Sequence, residues 1–404
     1  MRTFIIIGGH FRNKGAQAML YAVIQEIKKR FANPQIWAFV GSPIKEKNLK
    51  FNHLTWDNRL IKRLLLGKLK FLTKPSQNSI NENQIEKILK KADIILDISG
   101  FALSSQFGAR SSINYLCRIA LAKKYNCEMV ILPQSFGPFN YESFFDKVKI
   151  YTLMKWYLKY PKKIYAREEQ GYQDLAKFTS KNLEKSLDIV LLTEKPKPEI
   201  FMDCTYKKNV IKVIKKSVAI IPNSKLIEWN LNNDIFNLYT LIINELLING
   251  YNIYILRHSY EDLEFCRDIY KYANRPSQVT VLEGDYDCIT LCDIISQMEF
   301  VVASRYHSLV HAYKSNVPAI VIGWAEKYKE LMNYFNQNEY FFDIRTNINS
   351  NEIINSIKKM INFSAEESKT IFSSKRDILD KNNSLSITFD NMRSQYISTD
   401  VNHT

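Results

Sequence analysis

Residues 304–332 constrain the fold of this chain most, because they continue a β-α-β pattern that begins just before them. The apolar run at 299–303 predicts a buried parallel strand. A helix with one apolar face follows it, and residues 319–322 predict the next strand. The same alternation recurs along both halves of the chain and is typical of parallel sheets covered by helices. The sequence therefore predicts an α/β fold with a parallel sheet in each half.

Two side chains, Arg305 and His307, follow the strand at 299–303, where the chain turns into its helix. Parallel α/β sheets bind ligands at the carboxyl ends of their strands. A helix N-terminus at that edge adds partial positive charge and N–H groups, which favour an anion. We therefore expect an anionic ligand at Arg305 and His307.

The motifs around these residues resemble one known family. Ser-Arg-Tyr-His at 304–307, Asn-Val-Pro-Ala at 316–319, Gly-Trp at 323–324 and Lys-Tyr at 327–328 resemble the polysaccharide pyruvyl transferases. Members of that family move a pyruvyl group from phosphoenolpyruvate onto sugar hydroxyls, and they are similar in fold to two-domain GT-B glycosyltransferases. The resemblance implies two facing Rossmann-like domains with a cleft between them. It also implies a transferase that releases phosphate and forms a ketal on a cell-surface or capsular saccharide.

Chain length and one proline-bearing stretch predict the domain boundaries. A chain of 404 residues is long enough for two ordinary domains. The sequence Glu-Lys-Pro-Lys-Pro-Glu predicts a stiff, exposed linker at 194–200. We therefore predict an N-terminal α/β domain at 1–193 on the acceptor side and a C-terminal α/β domain at 201–380 on the donor side. Residues 381–404 are predicted to be a polar tail.

The composition narrows the class of partner and the location. A net charge of +15 favours anionic partners, which are phosphorylated small molecules, anionic lipid or nucleic acid. No apolar run approaches ~18 residues, so we expect no transmembrane helix. Residues 1–9 lack the long apolar core of a signal peptide and predict a first strand, which favours a cytoplasmic protein. The six cysteines include no Cys-x-x-Cys pair, so we expect packing thiols and no metal site.

A basic stretch at 59–74 has two interpretations. It holds six basic residues, no acidic residue, and leucine and isoleucine at helical spacing. Basic amphipathic helices often lie on anionic membranes, which would suit peripheral contact with the inner face of the membrane and a lipid-linked acceptor. The same pattern also fits an ordinary helix that packs its leucines inward and exposes its lysines.

A binding site for phosphoenolpyruvate needs at least two fixed cations, because the molecule carries a carboxylate and a phosphate. Guanidinium groups can hold both anions bidentately. The resemblance assigns Arg305 and Arg167 to donor binding, and Lys327 provides a third candidate charge. Arg167 follows a short predicted strand at 163–166, as Arg305 follows its own.

Ketal formation also needs proton transfer to the donor and from the acceptor hydroxyls, and histidine performs both near neutral pH. His307 is the predicted catalytic residue, because it neighbours Arg305 at a strand end. His258 also ends a predicted strand and either lines the site or serves only in packing. His311, four residues after His307, is expected to be a core histidine.

The resemblance extends to two segments of the N-terminal half. Family members carry an Asn-x-Gly-Asp motif after the first strand, where this chain has Asn13 and Gly15 but Ala16 in place of the acid. A second loop, at 133–139, resembles the Gln-x-x-Gly-Pro segment of the family and presents Gln134. We expect substrate contacts from Asn13 and Gln134.

Ser304, which opens the Ser-Arg-Tyr-His motif, is a further predicted substrate contact. Phosphoenolpyruvate is expected as the donor substrate, with no cofactor and no metal.

Two other classes of function compete with this prediction. A GT-B glycosyltransferase with a nucleotide-sugar donor would need a carboxylate for the ribose or sugar, for which Glu283 and Glu326 are the candidates. A nucleic-acid binder is not expected, because the chain lacks an RNA-binding motif, a zinc-finger spacing and a basic recognition helix.

Overall fold

The computed structural model describes residues 2–44, 48–72, 74, 82–229, 234–273, 277–345, 349–381 and 384–401. The chain forms two compact units. The first comprises residues 1–11, 19–206 and 382–404, and the second comprises residues 12–18 and 207–381. Each unit contains one parallel sheet with helices, as the sequence predicted.

The first unit is built on a seven-stranded sheet in the order β3-β2-β1-β4-β5-β6-β7, with every neighbouring pair parallel. Its strands are β1 (Thr3–Ile7), β2 (Gln35–Val40), β3 (Asn52–Thr55), β4 (Ile94–Asp97), β5 (Glu128–Gln134), β6 (Lys163–Ala166) and β7 (Leu183–Lys185). Its helices are α1 (Lys14–Arg30, from Met19 onward), α2 (Asn58–Leu66), α3 (Glu82–Leu89), α4 (Gly108–Lys124), α5 (Phe144–Tyr157), α6 (Glu169–Ala176), α7 (Ile189–Leu192), α8 (Pro198–Phe201) and α16 (Ser384–Val401). Apolar residues fill both faces of the central strands: all of β1 and β4 is buried.

The second unit is built on a six-stranded parallel sheet in the order β10-β9-β8-β11-β12-β13. Its strands are β8 (Ser217–Ile221), β9 (Asn252–Leu256), β10 (Val279–Leu282), β11 (Phe300–Ala303), β12 (Ala319–Gly323) and β13 (Phe341–Asp343). Its helices are α9 (Leu226–Trp229), α10 (Asp234–Ile248), α11 (Leu263–Tyr272), α12 (Cys288–Ile295), α13 (Tyr306–Lys314), α14 (Glu326–Tyr334) and α15 (Ser350–Lys381), and the first turn of α1 also belongs to this unit. Strand order reverses direction between β8 and β11, which makes that point of the sheet the expected ligand edge.

The domain boundaries differ from the predicted ones at both ends of the second half. The predicted linker at 194–200 lies inside the first unit, because the buried Phe201 stacks on Tyr21 with ring centroids 4.2 Å apart. The predicted polar tail at 381–404 contains α16, which belongs to the first unit. Phe389 and Met392 of that helix are buried, and Arg30 donates to Asp390 at 2.9 Å, so this mostly polar segment is held by both apolar and polar contacts.

The basic stretch at 59–74 is not one continuous helix. Helix α2 ends at Gly67, whose positive φ of 58° suits glycine, and a 3-10 turn continues to Leu72. Leu60, Ile61 and Leu64 of α2 are buried, so this helix packs its apolar face inward. No helix of the part described here is long and apolar enough to cross a membrane.

Candidate functional site

The candidate site lies at the carboxyl edge of the second sheet, where β8 and β11 flank the reversal in strand order. Ser304 follows β11 and is fully buried. Its hydroxyl lies 3.1 Å from that of Tyr239, and its carbonyl accepts hydrogen bonds from Asn223 (3.2 Å) and the Tyr328 hydroxyl (2.9 Å). Ser304 therefore holds this strand end in place through hydrogen bonds inside the protein, whereas the sequence predicted that Ser304 would contact the substrate.

Arg305 is partly exposed and is held by two acidic residues. Its Nε donates to Oδ2 of Asp262 at 2.9 Å, and its Nη2 donates to Asp262 and to Oε1 of Glu261, the latter at 2.9 Å. Asp262 is fully buried and also accepts from the backbone N–H of Ser224 at 3.0 Å. Nη1 makes no hydrogen bond to any residue that the structure describes. Arg305 is thus rigidly oriented, with one guanidinium nitrogen left for a ligand.

His307 lies against the first turn of α1, which belongs to the same unit. A Cβ built on Gly15 would lie 2.2 Å from Cγ and from Nδ1 of His307, so only glycine fits there. Asn13 caps this helix turn: its side-chain oxygen accepts from the N–H groups of Gly15 (3.0 Å) and Ala16 (3.2 Å). The structure therefore brings Asn13 to the turn that supports His307, and its amide oxygen serves that turn.

Lys14 and Arg257 add positive charge beside the histidines. Lys14 is buried, and its Nζ lies 2.8 Å from Oδ1 of the exposed Asp285. Arg257, which follows β9, is also buried and approaches the same carboxylate at 3.6 Å. The backbone N–H of Lys14 donates to the carbonyl of His258 at 3.4 Å. The sequence had not singled out either cation, although Lys14 lies inside the matched Asn-x-Gly motif.

His258 and His311 are both buried, and their ring centroids lie 5.5 Å apart. Burial lowers the pKa of His258 well below its usual value, and the nearby charges of His311, His307, Arg305 and Lys14 lower it further. Nε2 of His258 has no hydrogen-bond partner among the described residues. His258 is therefore neutral at physiological pH, and His311 occupies the core position that the sequence predicted.

Lys327, at the start of α14, is partly exposed near two aromatic rings. Its Nζ lies 5.4 Å from the centroid of Tyr306 and 5.8 Å from that of Tyr328. Since Tyr328 donates to the carbonyl of Ser304, Lys327 belongs to the same strand-end cluster as Arg305. Across the described residues, no three His, Cys, Asp or Glu side chains are grouped as metal ligands.

Arg167 and Gln134 belong to the first unit and are buried there. Arg167 donates from Nη1 to the fully buried Asp188 at 2.6 Å, and from Nη2 to the carbonyl of Gly100 at 2.9 Å and the hydroxyl of Ser135 at 2.7 Å. Gln134 donates to the Tyr115 hydroxyl at 3.1 Å. Both polar side chains are thus bound internally, and the contacts of Arg167 are those of a structural ion pair.

Two parallel sheets of this kind define a two-domain α/β protein of the GT-B class, and comparison with solved structures agrees. The UDP complex of MnaA from S. aureus is 12% identical, with a TM-score of 0.57, over 96% of this chain and 97% of that chain. UDP-GlcNAc 2-epimerase from Methanocaldococcus jannaschii is 11% identical, with a TM-score of 0.55, over 90% and 93%. A variant of S. aureus TarM in complex with UDP is 10% identical, with a TM-score of 0.57, over 96% and 98%. Such low identities show the fold alone.

Residues 13–326 match the family described as polysaccharide pyruvyl transferase. This match covers more than three quarters of the chain, so the protein belongs to the polysaccharide pyruvyl transferase family and is a transferase with a saccharide acceptor. No curated protein matches the sequence.

Proposed function

We propose that this protein transfers the pyruvyl group of phosphoenolpyruvate to two hydroxyls of a cell-surface or capsular saccharide, forming a ketal and releasing phosphate. One observation carries this proposal: His307 lies at the carboxyl end of β11, two residues after Arg305 and against the helix turn that carries Lys14. A proton-transfer group close to fixed positive charge suits a small substrate with two anionic groups.

Some charged residues near His307 are available to bind the substrate, and others orient the residues that bind it. Asp262 and Glu261 hold Arg305, so its remaining nitrogen, Nη1, faces a ligand with little loss of side-chain entropy. Lys14 has the exposed Asp285 as its partner. An incoming phosphate can replace that exposed carboxylate at the Lys14 ammonium. The N-terminus of α13, which begins at Tyr306, adds partial positive charge at the same place.

In the proposed reaction, protonation of the methylene carbon of phosphoenolpyruvate makes the adjacent carbon electrophilic. One acceptor hydroxyl adds to that carbon and loses its proton. The bond from that carbon to the phosphate oxygen then breaks, and the second hydroxyl closes the ketal as it loses its own proton. Of the two hydroxyl protons, one balances the proton gained by the methyl group and the other leaves with phosphate. His307 supplies and receives these protons.

The neutral His258 supports this assignment. Burial keeps His258 uncharged, so it adds no further positive charge to this site. The carboxylate that a nucleotide-sugar enzyme would require is not offered at Glu283, which is exposed and bound by Nε and Nη2 of Arg267 at 3.0 and 2.7 Å.

The proposal is tested with isotopically labelled phosphoenolpyruvate and a panel of glycosides, by measuring phosphate release and label in the saccharide. We expect equal amounts of phosphate and of ketal carbon. A second experiment measures the binding of phosphoenolpyruvate and of UDP by titration calorimetry without acceptor. We expect phosphoenolpyruvate to bind and UDP not to bind. Binding of UDP without binding of phosphoenolpyruvate would overturn the proposal.

A further inference from the structure

The first unit contains a cavity of about 350 Å³ that the proposed chemistry does not use. Its walls come from the N-terminal turns of α2 and α4: Asp57, Asn58, Arg59, Lys62, Arg110 and Asn114. In a parallel α/β unit the helices run antiparallel to the strands, so the helix N-termini lie at the carboxyl edge of the sheet. The cavity therefore opens at the edge where such sheets bind ligands.

The cavity is strongly basic, and its cations are available. Arg59, Lys62 and Arg110 form no ion pair with any residue in the described part of the chain. The one acidic wall residue, Asp57, caps α2 by accepting from the N–H of Leu60 at 2.7 Å. Since Arg59 and Lys62 are three residues apart on α2, they share one face of that helix. Three such cations beside one engaged carboxylate favour an anion.

Asn114 gives an independent indication of a ligand. It is 9% exposed, lines the cavity, and its Oδ1 is buried without a hydrogen-bond partner among the described residues. Buried polar side chains are nearly always hydrogen-bonded, so this one indicates a missing polar partner. The buried Oδ1 is an acceptor and needs a donor such as a water or a hydroxyl, whereas the Nδ2–H₂ group, which also makes no hydrogen bond to a described residue, can donate to a phosphate oxygen. Arg110 lies one turn earlier on the same face of α4.

The surface at the same edge carries exposed aromatic side chains. Helices α2, α4 and α5 pack side by side in sequence order, which brings their N-termini together. Phe107, just before α4, is 44% exposed, and Phe144 and Phe145, which begin α5, are 72% and 84% exposed. Aromatic residues beside cations are typical of protein surfaces that enter the headgroup region of a membrane.

We propose that this cavity binds the diphosphate group of a saccharide acceptor carried on a membrane lipid, while Phe107, Phe144 and Phe145 enter the lipid surface. This inference rests on the proposed function for the identity of the saccharide as acceptor. Within the basic stretch at 59–74, the inference assigns phosphate binding to Arg59 and Lys62, which line the cavity. Arg63 is not one of them, because its Nε pairs with the buried Glu82 at 2.9 Å.

The test compares three full-length variants with the wild type. The first combines Arg59→Glu, Lys62→Glu and Arg110→Glu. Its matched control combines Lys91→Glu, Lys123→Glu and Lys181→Glu, which changes the net charge equally at exposed lysines of the same unit. The third combines Phe144→Ser and Phe145→Ser. Circular dichroism checks that each variant is folded.

Two probes separate the sources of phosphate. Inorganic pyrophosphate is titrated in solution, and flotation is measured with phosphatidylcholine vesicles containing an isoprenyl diphosphate, against vesicles containing phosphatidylglycerol at equal charge. The wild type and the lysine control should bind pyrophosphate and float with the diphosphate vesicles. The cavity variant should lose both, with a single reversal weakening pyrophosphate binding by roughly 10-fold or more. The phenylalanine variant should bind pyrophosphate normally and lose flotation.

Other outcomes overturn the inference in distinct ways. Equal pyrophosphate binding by the cavity variant and the lysine control would show that the cavity is not a phosphate site. Pyrophosphate binding without preference for diphosphate vesicles would assign the cavity to a free phosphate compound. Phosphoenolpyruvate binding is measured on the same variants and should be unchanged in all of them. Its absence from the wild type would contradict the proposed function without affecting the result at the cavity.

Discussion

Gly15 and His307 are in direct contact, and the contact leaves no space for a side chain on Gly15. A Cβ at that position would lie 2.2 Å from Cγ and Nδ1 of the imidazole, well inside any van der Waals contact. Gly15 lies in the first turn of α1, where its φ is not in the left-handed region, so the backbone itself would accept alanine. The glycine is therefore required by the position of His307 and not by the helix.

Gly15→Ala should displace His307 and lower kcat while the protein stays folded. Alanine favours a helix by about 1 kcal/mol over glycine, so helix propensity does not oppose the change. We expect kcat to fall by roughly 10-fold or more, with a smaller change in the Kd for phosphoenolpyruvate, because Lys14 and Arg305 remain. Gly41→Ala is the matched control, since among the described residues no heavy atom beyond its two chain neighbours lies within 4 Å of its Cβ position. Unchanged kcat in Gly15→Ala would show that the position of His307 does not matter for turnover.

Arg305→Ala should weaken donor binding and also destabilise the second unit. A charge-assisted hydrogen bond to a buried anion is worth ~1.5–3 kcal/mol, so KM for phosphoenolpyruvate should rise by about 10-fold or more. Loss of the guanidinium also leaves Asp262 buried without its cation, which should lower Tm.

Asp262→Asn separates these two effects of Arg305. The amide keeps a hydrogen-bond acceptor for Ser224 but weakens the hold on Arg305. Its KM should rise less than that of Arg305→Ala. A lower Tm in both variants with unchanged KM in both would assign Arg305 a purely structural role.

Arg167→Met should act on stability, unlike Arg305→Ala. Removal of Arg167 leaves the fully buried Asp188 as an uncompensated charge, which typically costs about 3–5 kcal/mol. The double variant Arg167→Met with Asp188→Asn should recover part of that loss, as chemical denaturation would measure. If Arg167→Met instead raised KM for phosphoenolpyruvate at unchanged stability, the donor-binding role implied by the family resemblance would stand.

The pKa of His258 predicts how stability depends on pH. The folded-state pKa lies well below the usual value, because the residue is buried and neighbours other cations. Below a pH of about 6.5 the unfolded chain takes up a proton at this residue and the folded chain does not. The free energy of unfolding should therefore fall as pH decreases below that value, by up to about 1.4 kcal/mol per pH unit.

Denaturation of variants between pH 7.5 and 5.5 checks this dependence. His258→Gln removes the titrating group and should flatten the curve relative to wild type. Identical slopes for the wild type and His258→Gln would show that His258 is protonated equally in the folded and unfolded states.

Much of the fold could be predicted from the sequence because the central strands are buried on both faces. Runs such as β11 and β12 are continuously apolar, and their bounds agree with the predicted 299–303 and 319–322 to within a residue. The edge strands β3 and β7 were missed. Strand β3 is four residues long (Asn-His-Leu-Thr) and strand β7 is three residues long (Leu-Glu-Lys). Neither has an apolar run that would indicate a strand, because an edge strand needs little apolar surface.

The candidate site was predictable only where its parts are adjacent in sequence. Arg305 and His307 share one motif, so their proximity follows from the strand-to-helix turn. The partners Asp262 and Lys14 come from distant segments that the sheet topology brings together, and no sequence pattern joins them to Arg305 or His307. The ion pair of Arg167 with Asp188 was missed for the same reason, since the two residues follow different strands.

The catalytic role of His307 is the central claim, and one measurement tests it most directly. Phosphate release from phosphoenolpyruvate is followed at saturating acceptor for wild type, His307→Gln and His311→Gln, with calorimetric Kd values for the donor. His307→Gln should lower kcat by about 10²–10⁴-fold at a nearly unchanged Kd, because an amide can hydrogen-bond but cannot transfer the proton. His311→Gln should lower Tm and retain most of the activity of the folded protein. If His307→Gln kept most of its kcat, His307 would not be the proton-transfer residue.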